Sequence, residues 1–165
     1  MENYLIMEKE FLDILNTHRP LLFKVCHLYS DQPEDREDLF QEVVLQLWKS
    51  YKGFRHDSKV STWMYRVALN TAITYFKKSK KEISSFSGWP GYEIPDFLDH
   101  TEPSDQLSQL YLAISQLDKI DKSVILLYLE EKSYEEISEI TGLSHSNVGV
   151  RINRIKTKLT NLINK

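Results

Sequence analysis

Between His145 and Lys158 the chain carries the side chains best suited to reading a nucleic acid. His145, Ser146 and Asn147 offer hydrogen-bond donors and acceptors, and Val150, Arg151, Arg154, Lys156 and Lys158 follow with no acid among them. Such groups reach base edges and phosphates when the helix presenting them lies in the major groove of a duplex. A second candidate lies upstream, where Arg66, Asn70, Thr74 and Lys77 form one polar stripe in a run rich in Trp, Tyr and Phe and lead into the cluster Lys77, Lys78, Lys80 and Lys81. Cations interleaved with aromatic rings suit an unpaired strand, because phosphates pair with the former and bases rest on the latter.

The elements around the first group are those of a helix-turn-helix. Ser133 followed three residues on by Glu136 forms a capping box, and Ser144 is a second N-cap, so two helix starts lie eleven residues apart. Gly142 supplies the turn, and Ser138 is small enough for the helices to cross closely. Ile137, Ile140 and Leu143, then Val148, Ile152, Ile155 and Leu159, recur every three or four residues and give each helix one apolar face. Glu135, Glu136 and Glu139 suit the first helix's dipole but repel phosphate, so DNA is expected on the second helix.

A third group is acidic. Residues 34–51 read as a helix with a core face of Phe40, Val43, Val44, Leu47 and Tyr51. Its outer stripe, Asp38, Gln41, Glu42, Leu45 and Lys49, sets a leucine among polar groups, the make-up of a solvated face or of a partner interface. One exposed helix supplies no pocket for catalysis or metal binding. Cys26 is the only cysteine, which rules out an intrachain disulfide and a Cys-based zinc site, and it reads as a core thiol beside a surface His27.

The formal net charge of −3 argues against a nucleic-acid partner until it is divided along the chain. Residues 1–81 hold 13 basic and 11 acidic side chains, 82–106 hold none and 6, and 107–165 hold 8 and 7. The acidity is therefore concentrated in a Ser-, Gly- and Pro-containing stretch that reads as a flexible acidic linker, ordered on a partner through Phe86, Trp89, Tyr92, Ile94, Phe97 and Leu98. Ahead of it, residues 8–29 read as a helix kinked or divided at Pro20, and 61–81 as the central helix of a bundle. After it, Leu107, Leu110, Tyr111, Ile114 and Leu117 mark one helix and 121–131 another. The expected architecture is all-α: two small helical domains, 1–81 and 107–165, joined by the linker 82–106, the second a four-helix unit containing the helix-turn-helix. No signal peptide and no bilayer-spanning apolar run is present, so a cytoplasmic protein without direct membrane insertion is expected.

Three segments in this order, EDLFQEVVLQLWKSYKGF, STWMYRVALNTAITYFKK and SYEEISEITGLSHSNVGVRINRIKTKL, resemble a bacterial RNA polymerase sigma factor of the extracytoplasmic-function (ECF) group. The resemblance spans nearly the whole chain and departs at Gly149 and Val150, where many relatives carry Lys and Ser. It implies that Asp38, Gln41, Glu42, Leu45 and Trp48 dock on the coiled coil of the beta-prime subunit, within a core polymerase interface that includes the beta subunit. It also implies that Arg55, Lys59, Ser61, Thr62, Trp63, Arg66, Asn70, Lys77 and Lys78 recognise and melt the minus-ten element of promoter DNA. The last helix then reads the minus-thirty-five element as duplex, and the linker threads toward the polymerase active site. Such factors are specificity subunits without catalysis or cofactor, commonly inhibited by an anti-sigma protein. The competing readings are a free-standing helix-turn-helix transcriptional regulator, a small helical enzyme and a helical adaptor. The first lacks a dimerisation helix, the second a nucleophile with a nearby base, and the third leaves the basic groups unexplained.

Overall fold

The computed structural model describes residues 1–78 and 105–164, all helices and short turns, and the expected linker interior lies outside the described residues. They fall into two compact units, one holding α1 to α4 and the other α5 to α8.

In the first unit, α1 (Glu2–Thr17) gives way to α2 (Arg19–Tyr29) at His18, whose ψ of 15° ends the first helix. Pro20 sits in the first turn of α2, where its missing N–H costs no intrahelical bond, so the expected break falls ahead of the proline. The helix begins at Glu2 and not near residue 8, because Tyr4 already finds a partner: its ring meets Trp48 edge-on at 6.0 Å. The turn into α3 (Pro33–Tyr51) is fastened by Arg36, whose Nε donates to the Ser30 carbonyl at 2.8 Å and whose Nη2 donates to that of Asp31 at 3.0 Å. α3 packs its five expected core residues and Leu39 against α2 and α4 (Val60–Lys78). Leu22, Val25, Leu39, Val43, Leu47 and Met64 are wholly buried, each contributing on the order of 1.5–3 kcal/mol of transfer free energy. Ala68 and Ala72 let α4 approach its neighbours closely.

In the second unit, α5 (Asp105–Ser115), α6 (Lys119–Leu129) and α7 (Tyr134–Thr141) pack around α8 (His145–Ile163). α5 starts at Asp105, inside the stretch read as linker. Ala113 and Ile114 of α5 and Leu117 just after it are buried, whereas Leu107 and Tyr111 of the periodic apolar set are exposed, Tyr111 by 55%. α6 begins on the N-cap Asp118, whose carboxylate accepts from Asp121 N–H at 2.8 Å. It ends in a left-handed residue, Glu131 with φ 60°, while Lys132 N–H donates to Leu127 O and Glu131 N–H to Tyr128 O, both at 3.0 Å, as in a Schellman motif.

Candidate nucleic-acid and partner interfaces

The turn between α7 and α8 follows from its residues. Ser133 Oγ accepts from Glu136 N–H at 3.1 Å and Ser144 Oγ accepts from Asn147 N–H at 3.2 Å, so both expected caps form. Gly142 takes φ 79°, a left-handed value that glycine adopts without a Cβ penalty, and its N–H donates to Ser138 O. Ser138 does more than permit a close crossing: its hydroxyl donates to the Leu143 carbonyl and locks the turn. Thr141 adds a second lock, donating to Ile137 O at 2.7 Å and accepting from Leu143 N–H at 3.3 Å.

With Val148, Ile152, Ile155 and Leu159 buried, the opposite side of α8 presents Ser146, Asn147, Val150, Asn153, Arg154, Thr157 and Lys158, all exposed and none acidic. His145 is also exposed, its ring 5.7 Å from that of Tyr134. Tyr134 lies against Gly149, where an added Cβ would meet its Cε2 at 3.4 Å. Asn153 and Thr157 were missed in the sequence reading. Asn153 lies three residues after Val150, and Thr157 lies four after Asn153 and three after Arg154, so the helical period alone places both on the exposed face.

Two of the expected DNA-facing cations are engaged within the unit. Arg151 Nη1 lies 2.8 Å from Asp121 Oδ1 of α6, which corrects the reading of Arg151 as a residue of the open surface: its position flanks the core stripe, within reach of α6. Lys156, on the other flank, holds its ammonium 4.5 Å from the centre of the Tyr128 ring. A hydrogen bond to Tyr128 shifts the Lys156 pKa upward.

In the first unit the loop between α3 and α4 folds over the start of α4. Phe54 stacks on Trp63 at 4.6 Å with the planes 23° apart, and His56, in the left-handed region at φ 58°, brings its ring 4.5 Å from Phe54. Beside this stack opens a cleft of about 480 Å³ whose lining includes Lys49, Phe54, Arg55, Trp63 and Arg66, with one acid, Asp57. Arg55 and Lys59 are exposed and Ser61 half-buried. Thr62 and Trp63 are 3% and 7% exposed; Phe54 and Tyr51 cover Trp63, and the part of its ring left open lines the cleft. Phe54, absent from the expected site, borders the cleft together with Trp63. Asn70 and Thr74 line a second cleft, of about 430 Å³, between α4 and α3. Lys77 and Lys78 close α4, and their side chains lie outside the described residues.

On α3, Asp38 and Lys49 are exposed, Gln41 and Glu42 half-buried, and Leu45 is 38% exposed in their midst. Glu42 accepts from Gln46 Nε2 at 3.0 Å on the rim of the second cleft. The acidic character of this rim registers on Tyr75: burial raises its hydroxyl pKa, and the charges of Asp38, Glu42 and Asp35 raise it further. Trp48 stands apart from the stripe. It packs under α1, 5.0 Å from the Phe11 ring, so most of its contact is with its own unit.

The sigma-70 region 2 family model matches residues 14–82 and the sigma-70 region 4 model matches residues 107–159. The RNA polymerase sigma factor YlaC of Bacillus subtilis is 32% identical over 133 residues, covering 76% of this chain and 76% of that protein. The ECF RNA polymerase sigma factor SigW of the same organism is 27% identical over 158 residues, 87% of this chain and 83% of its own. Among solved structures, the sigma factor RpoE in complex with the anti-sigma factor NepR, from Bartonella quintana, superposes with a TM-score of 0.71 at 20% identity, covering 94% of this chain and 98% of that one. CnrH in complex with the cytosolic domain of CnrY gives 0.67 at 20% identity, over 95% and 89%. The chain belongs to the sigma-70 family of RNA polymerase sigma factors, in its extracytoplasmic-function group.

Proposed function

We propose that this sigma factor divides its work by surface charge: α3 docks on core RNA polymerase, the α3–α4 loop and α4 take the melted promoter strand, and α8 reads the upstream promoter element as duplex. The observation that carries this reading is the contrast between two exposed helical faces. The α8 face presents Asn147, Asn153, Arg154 and Lys158 and no acid, whereas α3 presents Asp38, Gln41, Glu42 and Leu45. The first attracts phosphates and offers amides for base edges; the second repels DNA and suits a basic, partly apolar partner.

The cleft beside Phe54 gives the first unit a place for an extruded base. Flipping a base costs a few kcal/mol, and stacking on an aromatic returns about 1–3 kcal/mol per base. Phe54 supplies the ring, Arg55 and Arg66 supply charge for the flanking phosphates, and Trp63 backs Phe54 from the core. The protein acts as a specificity subunit in the cytoplasm and performs no chemistry of its own. No described helix is long and apolar enough to cross a membrane. The similar RpoE structure is a complex with the anti-sigma factor NepR, and the CnrH structure a complex with the cytosolic domain of CnrY, which supports an anti-sigma partner for this chain as well.

Charge reversal tests the division. Asp38→Lys with Glu42→Lys is expected to weaken co-elution with core polymerase at least tenfold while leaving the thermal melt in place. Arg154→Ala is expected to leave core binding intact and weaken promoter affinity of the assembled holoenzyme. Loss of core binding in the Arg154 variant, or retention of it in the α3 variant, removes the assignment.

A further inference from the structure

Arg151 stands on α8 between the buried stripe and the exposed face, and its guanidinium turns inward. Nη1 lies 2.8 Å from Asp121 Oδ1, the two side chains are 30% and 17% exposed, and Arg151 Nε is buried without an acceptor. Asp121 is well held for this contact. Its N–H is taken by the N-cap Asp118, and a carboxylate in the first turn of α6 is favoured by the helix dipole. At the far end of α6, Tyr128 receives Lys156 from the other flank of α8. α8 is thus gripped by α6 on both sides of the exposed face.

We propose that Arg151 and Asp121 are positioning residues that set the angle at which α8 presents its exposed face, and that Arg151 makes no phosphate contact of its own. The proposal rests on the assignment of that face to duplex DNA. A guanidinium already matched by a carboxylate at 2.8 Å offers a phosphate little net attraction. Turning it outward would leave the mostly buried Asp121 carboxylate without its partner, a cost that a phosphate contact must first offset. Arg154 meets neither obstacle, since it is exposed on the acid-free face.

The two roles give opposite signs on removing Asp121. The test measures promoter affinity of the holoenzyme, assembled from the full chain and core polymerase, across a series of KCl concentrations. The proteins are wild type, Asp121→Asn, Arg151→Ala, Arg154→Ala and the exchange Asp121→Arg/Arg151→Asp, each on a promoter fragment and on one with a scrambled upstream element. As a positioning pair, Asp121→Asn and Arg151→Ala each weaken promoter binding by about three- to tenfold. Both narrow the gap between the two fragments, leave the salt slope unchanged, and are partly repaired by the exchange. Arg154→Ala flattens the slope by about 0.9. If Arg151 contacts phosphate, Asp121→Asn strengthens binding and Arg151→Ala itself flattens the slope by about 0.9; either result overturns the proposal. A melt restored by the exchange without restored discrimination also overturns it, as a role in stability alone. An Arg154→Ala holoenzyme with wild-type affinity and slope instead refutes the α8 assignment on which the proposal stands.

Discussion

Gly142→Ala isolates the conformational requirement of the helix-turn-helix. The residue has φ 79°, and a Cβ built on it meets nothing within 4 Å, so the substitution introduces no clash and leaves the N–H bond to Ser138 O in place. What remains is the left-handed backbone, about 1–2 kcal/mol for a residue with a Cβ. The reduced freedom of the unfolded chain returns about 0.4–1 kcal/mol, leaving a net loss of about 0.8 kcal/mol at the midpoints of the two ranges. Hydrogen exchange of amides within α7 and α8 reads this locally, where a whole-chain melt mixes two units. Exchange is expected to quicken by about two- to fivefold, with Asn intermediate because it tolerates this backbone region. Glu131→Gly is the mirror experiment in the same unit: it relieves a left-handed non-glycine residue at φ 60° and removes an acid from a helix C-terminus. It is expected to slow exchange at the end of α6. A neutral or stabilising Gly142→Ala would refute the reasoning, as would an Ala loss above about 3 kcal/mol, which the open space around the Cβ does not allow.

Three further perturbations separate fold from surface. Trp63→Ala is expected to cost about 3–5 kcal/mol and to lower the melting temperature of the first unit, with promoter melting lost as a consequence of unfolding; an unchanged melt with lost activity would return Trp63 to the DNA surface. Leu45→Asp is expected to leave stability within about 0.5 kcal/mol and to reduce core polymerase affinity, since this exposed side chain packs little within its own unit. Burial pushes the Cys26 thiol from 9.0 up to about 12, so at pH 8 its thiolate fraction is about a thousandfold below that of the unfolded chain, and labelling by a disulfide reagent is expected to slow at least as much. The sign for stability follows: the folded state keeps a proton that the unfolded chain loses above pH 9.0, so this contribution is present below that pH and disappears as pH rises toward 12.

The sequence was most legible where periodicity and capping agree. Ser133, Gly142 and Ser144 set the limits of α7 and α8, and the apolar spacing identified the buried side of α8. Side-chain partners across the fold were not legible. Nothing in the order of residues says that Asp121, thirty positions upstream, meets Arg151, or that Tyr4 covers Trp48. The degree of burial of Trp63 and Thr62 was not legible for a related reason: α4 is apolar nearly all round, and the path of the loop decides how much of each side chain is covered. That loop places Phe54, half-buried and in a segment with no helical signature, over Trp63. Asn153 is legible from the helical period alone, since it follows Val150 by three residues on the exposed side of α8.

In the proposed division of labour, one chain supplies both the polymerase-docking surface and the promoter-reading surfaces. Run-off transcription by core polymerase with the purified chain, on linear promoter fragments from the source genome and with permanganate probing of unpaired thymines, addresses it in one measurement. The account requires discrete start sites and an opened minus-ten region that appear only when chain and core are combined. These must be lost in the Asp38→Lys/Glu42→Lys variant and weakened, at the same start sites, in Arg154→Ala. Start sites and opening that persist unchanged in both variants would contradict it.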